Sequence, residues 1–188
     1  DSRRIKFPND EYSQKIFLLE RPSTDIFTWM EGEKSCSNII ERILESNKDK
    51  KKIFDKPIDG CLFIHPVSKD FVKGKILDRI KDLDEIPSPY LAGILDKFFD
   101  GRLTPLLETN RGCPFKCSFC HTGADYYHKL NKFSEDRVKA EIEYIGKRAG
   151  PLGITNLHLA DVNFGMYPQD RITCEMFVKV KEKYGWPL

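Results

Sequence analysis

The densest chemistry in this chain lies in the run Glu108-Thr109-Asn110-Arg111-Gly112-Cys113-Pro114-Phe115-Lys116-Cys117-Ser118-Phe119-Cys120-His121-Thr122-Gly123, which holds three of the six cysteines. Thiols this concentrated require an oxidising compartment or a metal. Gly112, Pro114 and Gly123 make the segment a loop. A loop can turn its thiolates towards one point, whereas cysteines so close in sequence are poorly placed for disulfides with each other. Metal binding is the stronger reading. A cubic 4Fe-4S cluster takes one thiolate per iron, so Cys113, Cys117 and Cys120 would leave one iron without a protein ligand. Such an iron can take a substrate or cosubstrate, by the logic that separates open catalytic zinc sites from closed structural ones. The competing reading is a zinc knuckle that adds His121 or His128, although zinc loops usually bring their ligands as two separated pairs.

The elements that must position this loop follow from patterning. Runs from Gln14 to Leu19 and from Ile26 to Met30 read as strands on either side of Arg21-Pro22-Ser23. Glu31-Gly32-Glu33 reads as a turn. Ser35 or Ser37 is then expected to cap a helix whose Ile39, Ile40, Ile43 and Leu44 form a core stripe. Cys36 and Cys61 read as buried structural thiols, Cys61 within the apolar run Cys61-Leu62-Phe63-Ile64. Pro87 and Pro89 exclude a helix through that point. Pro89 suits the first position of a new helix carrying Leu91, Ile94, Leu95 and Phe98 and ending at Gly101.

Downstream, Ser134 is expected to cap a helix with Val138, Ile142, Ile145 and Ala149 on one face, ending at Gly150-Pro151. Ile154 to Ala160 alternates as a strand. Asp170 is expected to cap a helix bearing Ile172, Met176 and Val180, with Cys174 as a packing residue, before Gly185. Strand, cysteine loop, helix, strand, loop, helix is the order of a βαβ unit with parallel strands. The cysteine loop leaves the strand near Pro105 to Glu108, and Asp161-Val162-Asn163-Phe164-Gly165 leaves the next. Both loops then open on the same mouth.

Composition bounds the rest. The chain has 188 residues and a net charge of +2, from 31 basic and 29 acidic side chains, which gives no broad electrostatic footprint for nucleic acid. The sequence has no run of about 18 apolar residues to span a membrane, and no positively charged start followed by an apolar stretch to mark a secretion signal. A reducing cytoplasm is the default compartment. Lys48, Lys50, Lys51 and Lys52, interrupted by Asp49 and followed by Asp55, read as a solvated loop. The opening Asp1-Ser2-Arg3-Arg4 and the close at Trp186-Pro187-Leu188 lead us to expect an internal piece of a longer protein.

The spacing C-x-x-x-C-x-x-C, with Phe119 directly before the last cysteine, resembles the signature of the radical S-adenosylmethionine (radical SAM) enzymes. Asp82-Leu83-Asp84-Glu85-Ile86-Pro87-Ser88-Pro89-Tyr90, followed by Pro105-Leu106-Leu107-Glu108 and the cysteine run, looks like the linker and entry strand of members that carry an upstream cobalamin-binding domain. Arg21-Pro22 through Glu31-Gly32-Glu33 is similar to the tail of that domain.

The resemblance implies an α/β chain in three parts. Residues 1–80 would be the tail of an upstream α/β, cobalamin-binding-like domain, 81–103 a linker with a short helix, and 104–188 the first two βα units of a partial TIM-like barrel. It implies a 4Fe-4S cluster on Cys113, Cys117 and Cys120, whose open iron chelates SAM, and reductive cleavage to a 5'-deoxyadenosyl radical that abstracts hydrogen from a substrate. It also implies an electron donor such as flavodoxin or ferredoxin, and a small-molecule or macromolecular substrate that the residues do not identify. The main chain of Phe119 would lie beside the adenine. A Gly-Gly-Glu-like segment contacts the SAM amino group in the family. Here Ala160-Asp161-Val162-Asn163-Phe164 takes its place, where Asp161 and Asn163 keep acceptor groups; the alternative for Asp161 is an Asx turn.

The Asp-x-His-x-x-Gly signature that ligates cobalamin is absent, so cobalamin is implied only through a region upstream. Arg111 would offset thiolate charge. His121 and His128 are second-shell candidates and His65 and His158 core or strand-face residues, so no catalytic residue is assigned. Methyl transfer, ring formation and methylthiolation stay open. The alternative function is a structural or electron-transfer module holding zinc or a closed cluster, for which Cys174 is the only downstream fourth thiolate.

Overall fold

In a computed structural model that describes residues 10–123 and 125–188, short elements alternate with capped turns, and the chain divides into two units between Arg79 and Ile80. The opening Asp1-Ser2-Arg3-Arg4 lies outside the described residues.

Among the described residues of the first unit, α1 (Glu11–Leu19) comes first, where the sequence suggested a strand. The Asp10 carboxylate accepts from Ser13 N at 2.8 Å and so satisfies an otherwise orphaned donor of the first turn. Gln14 and Leu18, one turn apart, are buried. The apolar run alone did not distinguish the two periods. The expected strand after it is short, β1 (Phe27–Thr28).

Helix α2 (Gly32–Glu45) starts within the expected turn, upstream of both serines proposed as caps. Ser35 lies inside it, buried, with its hydroxyl donating to Glu31 O at 3.1 Å. Ile39 and Ile43 pack on the core, whereas Ile40 and Leu44 face water. The buried sector is therefore narrower than the stripe. The lysine-rich stretch is not a loop throughout, because α3 (Lys50–Phe54) forms behind the Asp49 cap and buries Ile53 and Phe54.

β2 (Cys61–Ile64) is the central strand of an antiparallel sheet ordered β1, β2, β3 (Phe71–Lys73). Phe27 pairs with Leu62, and Phe63 with Val72. Cys61 is buried as expected, but Cys36 is exposed on α2.

The second unit supports the cysteine loop. β4 (Leu106–Leu107) and β7 (His158–Leu159) pair in parallel, Leu106 with His158 and Leu107 with Leu159. Between them runs α4 (Glu135–Ala149), capped by Ser134, whose hydroxyl accepts from Arg137 N at 3.2 Å. Val138, Ile142, Ile145 and Ala149 are buried, as the helical spacing predicts. Each fully buried branched aliphatic residue contributes about 1.5–3 kcal/mol.

α5 (Pro168–Tyr184) starts two residues before the expected cap. Asp170 sits within its first turn and reaches back, accepting from Tyr167 N at 2.9 Å and Gly165 N at 2.8 Å. Cys174, expected to pack, is exposed. The helix buries Thr173 and Val180 instead.

Residues 81–103, read from the sequence as a linker, pack within this unit. Leu83 and Tyr90 join its core, and Asn131 Nδ2 donates to Ile80 O at 2.7 Å. The helix expected from Tyr90 does not form: turns lead to a single 3-10 turn at Asp96–Phe98, and Leu91, Ile94 and Phe98 are exposed. Gly93 at φ +70° breaks the helical path. The Tyr90 hydroxyl instead serves β4, donating to Leu106 O at 2.8 Å and accepting from Leu106 N at 3.0 Å.

Candidate functional site

The cysteine loop leaves β4 and is closed at its base by a ladder that the sequence did not reveal. β5 (Asn110–Arg111) pairs antiparallel with β6 (Asn131–Lys132), placing Asn110 opposite Lys132 and Arg111 opposite Asn131. Two-residue strands carry too little alternation to be read. Phe133 N donates to Thr109 O at 3.1 Å and continues the closure.

Inside the ladder the backbone is tightly wound. Gly112 has φ +123°, and a Cβ there would lie 2.4 Å from Lys129 O. Its neighbour Cys113 is buried, with its N–H donating to Tyr127 O at 2.8 Å. At the far end a Cβ on Gly123 would lie 2.3 Å from Cys117 O. Glycine at position 112 lets the loop approach the 127–129 backbone, and glycine at 123 lets it fold back on Cys117. Cys120 N donates to Cys117 O and Gly123 N to Cys120 O, both at 3.1 Å. The Cys120 sulfur lies 3.1 Å from the Thr122 hydroxyl. That hydrogen bond holds the Cys120 thiol below the usual thiol range.

The loop after β7 meets the first strand through two residues. Asp161 Oδ1 accepts from Thr109 N at 2.7 Å and Asn110 N at 3.3 Å. Oδ2 accepts from Asn110 Nδ2 at 2.9 Å and from the Thr109 hydroxyl in a short hydrogen bond. Two donors on each oxygen use the roughly four acceptor sites of a carboxylate. Asp161 is thus a clamp between strand ends, a role neither the ammonium-acceptor reading nor the Asx-turn reading anticipated. Burial, helped by Glu108, pushes its carboxyl above the usual range, against the pull of those donors.

Asn163 Nδ2 donates to Cys113 Sγ at 3.0 Å. The sequence suggested an acceptor there, and the amide also supplies a donor. Tyr167 lies in the same neighbourhood: burial first, then Cys113 and Asp170, push its phenol up. Its buried hydroxyl oxygen has no partner among the described residues.

The remaining expectations separate. Arg111 is turned to Glu108 in a two-pronged ion pair, with Nε to Oε1 at 3.0 Å and Nη2 to Oε2 at 2.7 Å. The Phe119 side chain is 92% exposed. His128 is exposed, and the side chain of His121 lies outside the described residues. His158 is an exposed strand-face residue, while His65 Nδ1 accepts from Ser68 N at 3.0 Å and closes the β2–β3 turn.

As a donor set, three thiols on one wound loop suit a soft metal or an iron–sulfur cluster. The amide donor to Cys113 suits a thiolate acceptor. Among the described residues, however, no three His, Cys, Asp or Glu side chains are gathered closely enough to hold a metal. Cys113 is buried, whereas Cys117 is exposed and Cys120 partly so, so a shared ligand shell would require Cys117 and Cys120 to approach Cys113.

A cysteine loop leaving one parallel strand is clamped to the loop that leaves the next, and the chain is similar in sequence to two methyltransferases, one of them described as a cobalamin-dependent radical SAM enzyme. It is 30% identical over 177 residues to 2-(S-pantetheinyl)-carbapenam-3-carboxylate methyltransferase of Streptantibioticus cattleyicolor, covering 91% of this chain and 24% of that protein. It is 28% identical to the cobalamin-dependent radical SAM methyltransferase TokK of Streptomyces tokunonensis, with the same 91% and 24% coverage. The chain thus spans about a quarter of the length of these relatives. Its fold matches the structure of the cobalamin-dependent radical enzyme OxsB with aqua-cobalamin and S-adenosylmethionine bound, at a TM-score of 0.55 and 21% identity over 91% of this chain and 22% of that one. No family model matches the chain. Among the described residues no helix is long and apolar enough to cross a membrane.

Proposed function

We propose that this chain carries the cofactor-binding start of a radical SAM methyltransferase acting with cobalamin in a reducing, cytoplasmic compartment. The observation that carries the reading is the cysteine loop, wound between β4 and β6 and joined to the β7 loop through Asp161 and Asn163. Cys113, Cys117 and Cys120 would hold a 4Fe-4S cluster as its three protein ligands. When bound, such a cluster supplies the electron that cleaves SAM to a 5'-deoxyadenosyl radical and a chelating iron for its amino and carboxylate groups.

The chain's own residues have definable tasks in this reading. Asp161 fixes the ends of β4 and β7 so that both loops face one mouth. Asn163 positions Cys113 and leaves its amide oxygen as an acceptor for the SAM ammonium group. Phe119 offers its main chain to the adenine. Methyl transfer is favoured over ring formation and methylthiolation by the activities named for the two sequence relatives. Cobalamin would be held by a region other than the cysteine loop, and the electron would come from a flavodoxin- or ferredoxin-type donor.

Anaerobic reconstitution with iron and sulfide tests the reading. Loading of about four irons per chain is expected for one cubic cluster, with a change in its electron paramagnetic resonance spectrum on adding SAM. A strong reductant should then yield 5'-deoxyadenosine and methionine. Stable binding of one zinc ion without a cluster overturns it.

A further inference from the structure

Sequence alone offered a charged residue, Arg111, to balance the thiolates. In the fold its guanidinium is paired with Glu108. Within the loop the Thr122 hydroxyl lies beside the Cys120 sulfur, and from 50 residues further along the chain the uncharged amide of Asn163 reaches Cys113 Sγ at 3.0 Å. Cys113 is the buried member of the three, whereas Cys117 is exposed and Cys120 partly so. A hydrogen bond to a sulfur removed from water is not replaced by solvent when it is lost, so it matters more here than it would at Cys117.

We propose that Asn163 is a positioning residue that sets the reduction potential of the metal centre through its N–H···S bond to Cys113. This rests on the reading that the cysteine loop holds a 4Fe-4S cluster, and it adds to that reading a residue that binds neither metal nor substrate through this bond. Reduction adds negative charge, part of which spreads onto the cysteine sulfurs. A donor fixed at one of them stabilises the reduced form more than the oxidised form and raises the potential. Because the donor comes from the β7 loop, which Asp161 clamps to Thr109 and Asn110, its distance to Cys113 is fixed by the parallel strand pair and not by the cysteine loop alone.

The test uses Asn163→Ala, which removes the donor, and Asn163→Asp, which removes it and adds an acceptor charge at nearly the same shape. The full chain is reconstituted anaerobically and titrated with a graded reductant. At the potential that half-reduces the wild type, the ratio of reduced to oxidised cluster should fall about tenfold in the alanine variant, equivalent to 59 mV for one electron, and further in the aspartate variant. A residue that merely kept the loop folded would lower cluster content without producing that order.

In parallel, iron content and thermal melts of both variants should match the wild type, so that the change in potential is read on an equally loaded and equally folded protein. Wild-type protein that loads a cluster, with variants of equal iron content and unaltered potential, overturns the inference and leaves the cluster reading intact. Wild-type protein that takes up no cluster overturns the cluster reading and, with it, any role of Asn163 in setting a potential.

Discussion

Asp161 grips Thr109 through both the main-chain N–H and the side-chain hydroxyl, and so joins the ends of the two parallel strands at the mouth where the cysteine loop begins. Thr109 and Asn110 are themselves buried, so water cannot readily replace the carboxylate. Replacing Asp161 with Ala strands two main-chain donors and two side-chain donors. Hydrogen bonds to a charged partner are worth about 1.5–3 kcal/mol each, non-additively. Urea unfolding of Asp161→Ala should therefore show a loss of about 3 kcal/mol. A loss below about 0.5 kcal/mol would mean that the clamp does not hold the strand ends.

Tyr90 carries a second test of how β4 is held. Its hydroxyl acts as donor and acceptor to the same residue, Leu106, on the strand that launches the cysteine loop. Tyr90→Phe keeps the buried ring in the core and removes only these two bonds. The expected cost is about 1–3 kcal/mol, since an amide N–H and a carbonyl both lose their partner. Thermal melts of the variant and the wild type measure it.

The thiols outside the loop should respond to pH and alkylation in opposite ways. Burial first, then Asp59 and Cys36, push the Cys61 thiol up to about 11. Its folded value exceeds the ordinary thiol value of 9.0, so the unfolded chain releases the proton first as pH rises. The contribution to stability is complete below pH 9.0 and is lost between 9.0 and about 11. The slope is at most about 1.4 kcal/mol per pH unit. Cys61→Ala should remove that slope from stability curves measured across the window. In native protein near pH 8, iodoacetamide should label exposed Cys36 and Cys174 and spare Cys61.

Gly112→Ala should separate loop winding from ligand chemistry. The added methyl would meet Lys129 O, and the φ of +123° is unfavourable for any L side chain. The three cysteines all remain, yet iron uptake on reconstitution should fall several-fold. Uptake equal to the wild type would show that the close approach of Gly112 to the 127–129 backbone is not required for loading.

What the sequence revealed of this fold depended on the length of each pattern. Val138 to Ala149 spans enough turns for one buried face to be unambiguous, and the parallel pairing of β4 with β7 followed from the order of elements. Gln14 to Leu19 was too short to choose between periods, and the decisive signal was the local cap at Asp10. The segment from Tyr90 to Phe98 has helical spacing, but Gly93 and the pull of the Tyr90 hydroxyl towards β4 outweigh it. At the site, residue types and spacing suggested Cys113, Cys117 and Cys120 as a donor set, and the fold leaves Cys113 buried and Cys117 exposed. The functions of Asp161 and Asn163 depend on partners about fifty positions earlier. No local pattern specifies such pairs.

The assignment of the donor set itself is best tested by a complete cysteine series. If Cys113, Cys117 and Cys120 share one cluster, alanine at any of the three should remove most of the iron and the associated charge-transfer absorption, because a cubic cluster held by two thiolates is poorly retained. Cys36 and Cys61 belong to the first unit, and Cys174 is exposed on α5. Alanine at each of these should leave the iron content unchanged. Thermal stability gives the necessary control, since Cys61→Ala should cost stability through lost packing while preserving iron, and Cys117→Ala at an exposed position should do the reverse. Should Cys174→Ala abolish loading, the cluster would have a fourth protein ligand and no iron free to bind SAM, which would favour the electron-transfer alternative. Loss confined to the three loop cysteines, together with a spectrum that changes on adding SAM, leaves the exchangeable iron position as the remaining explanation.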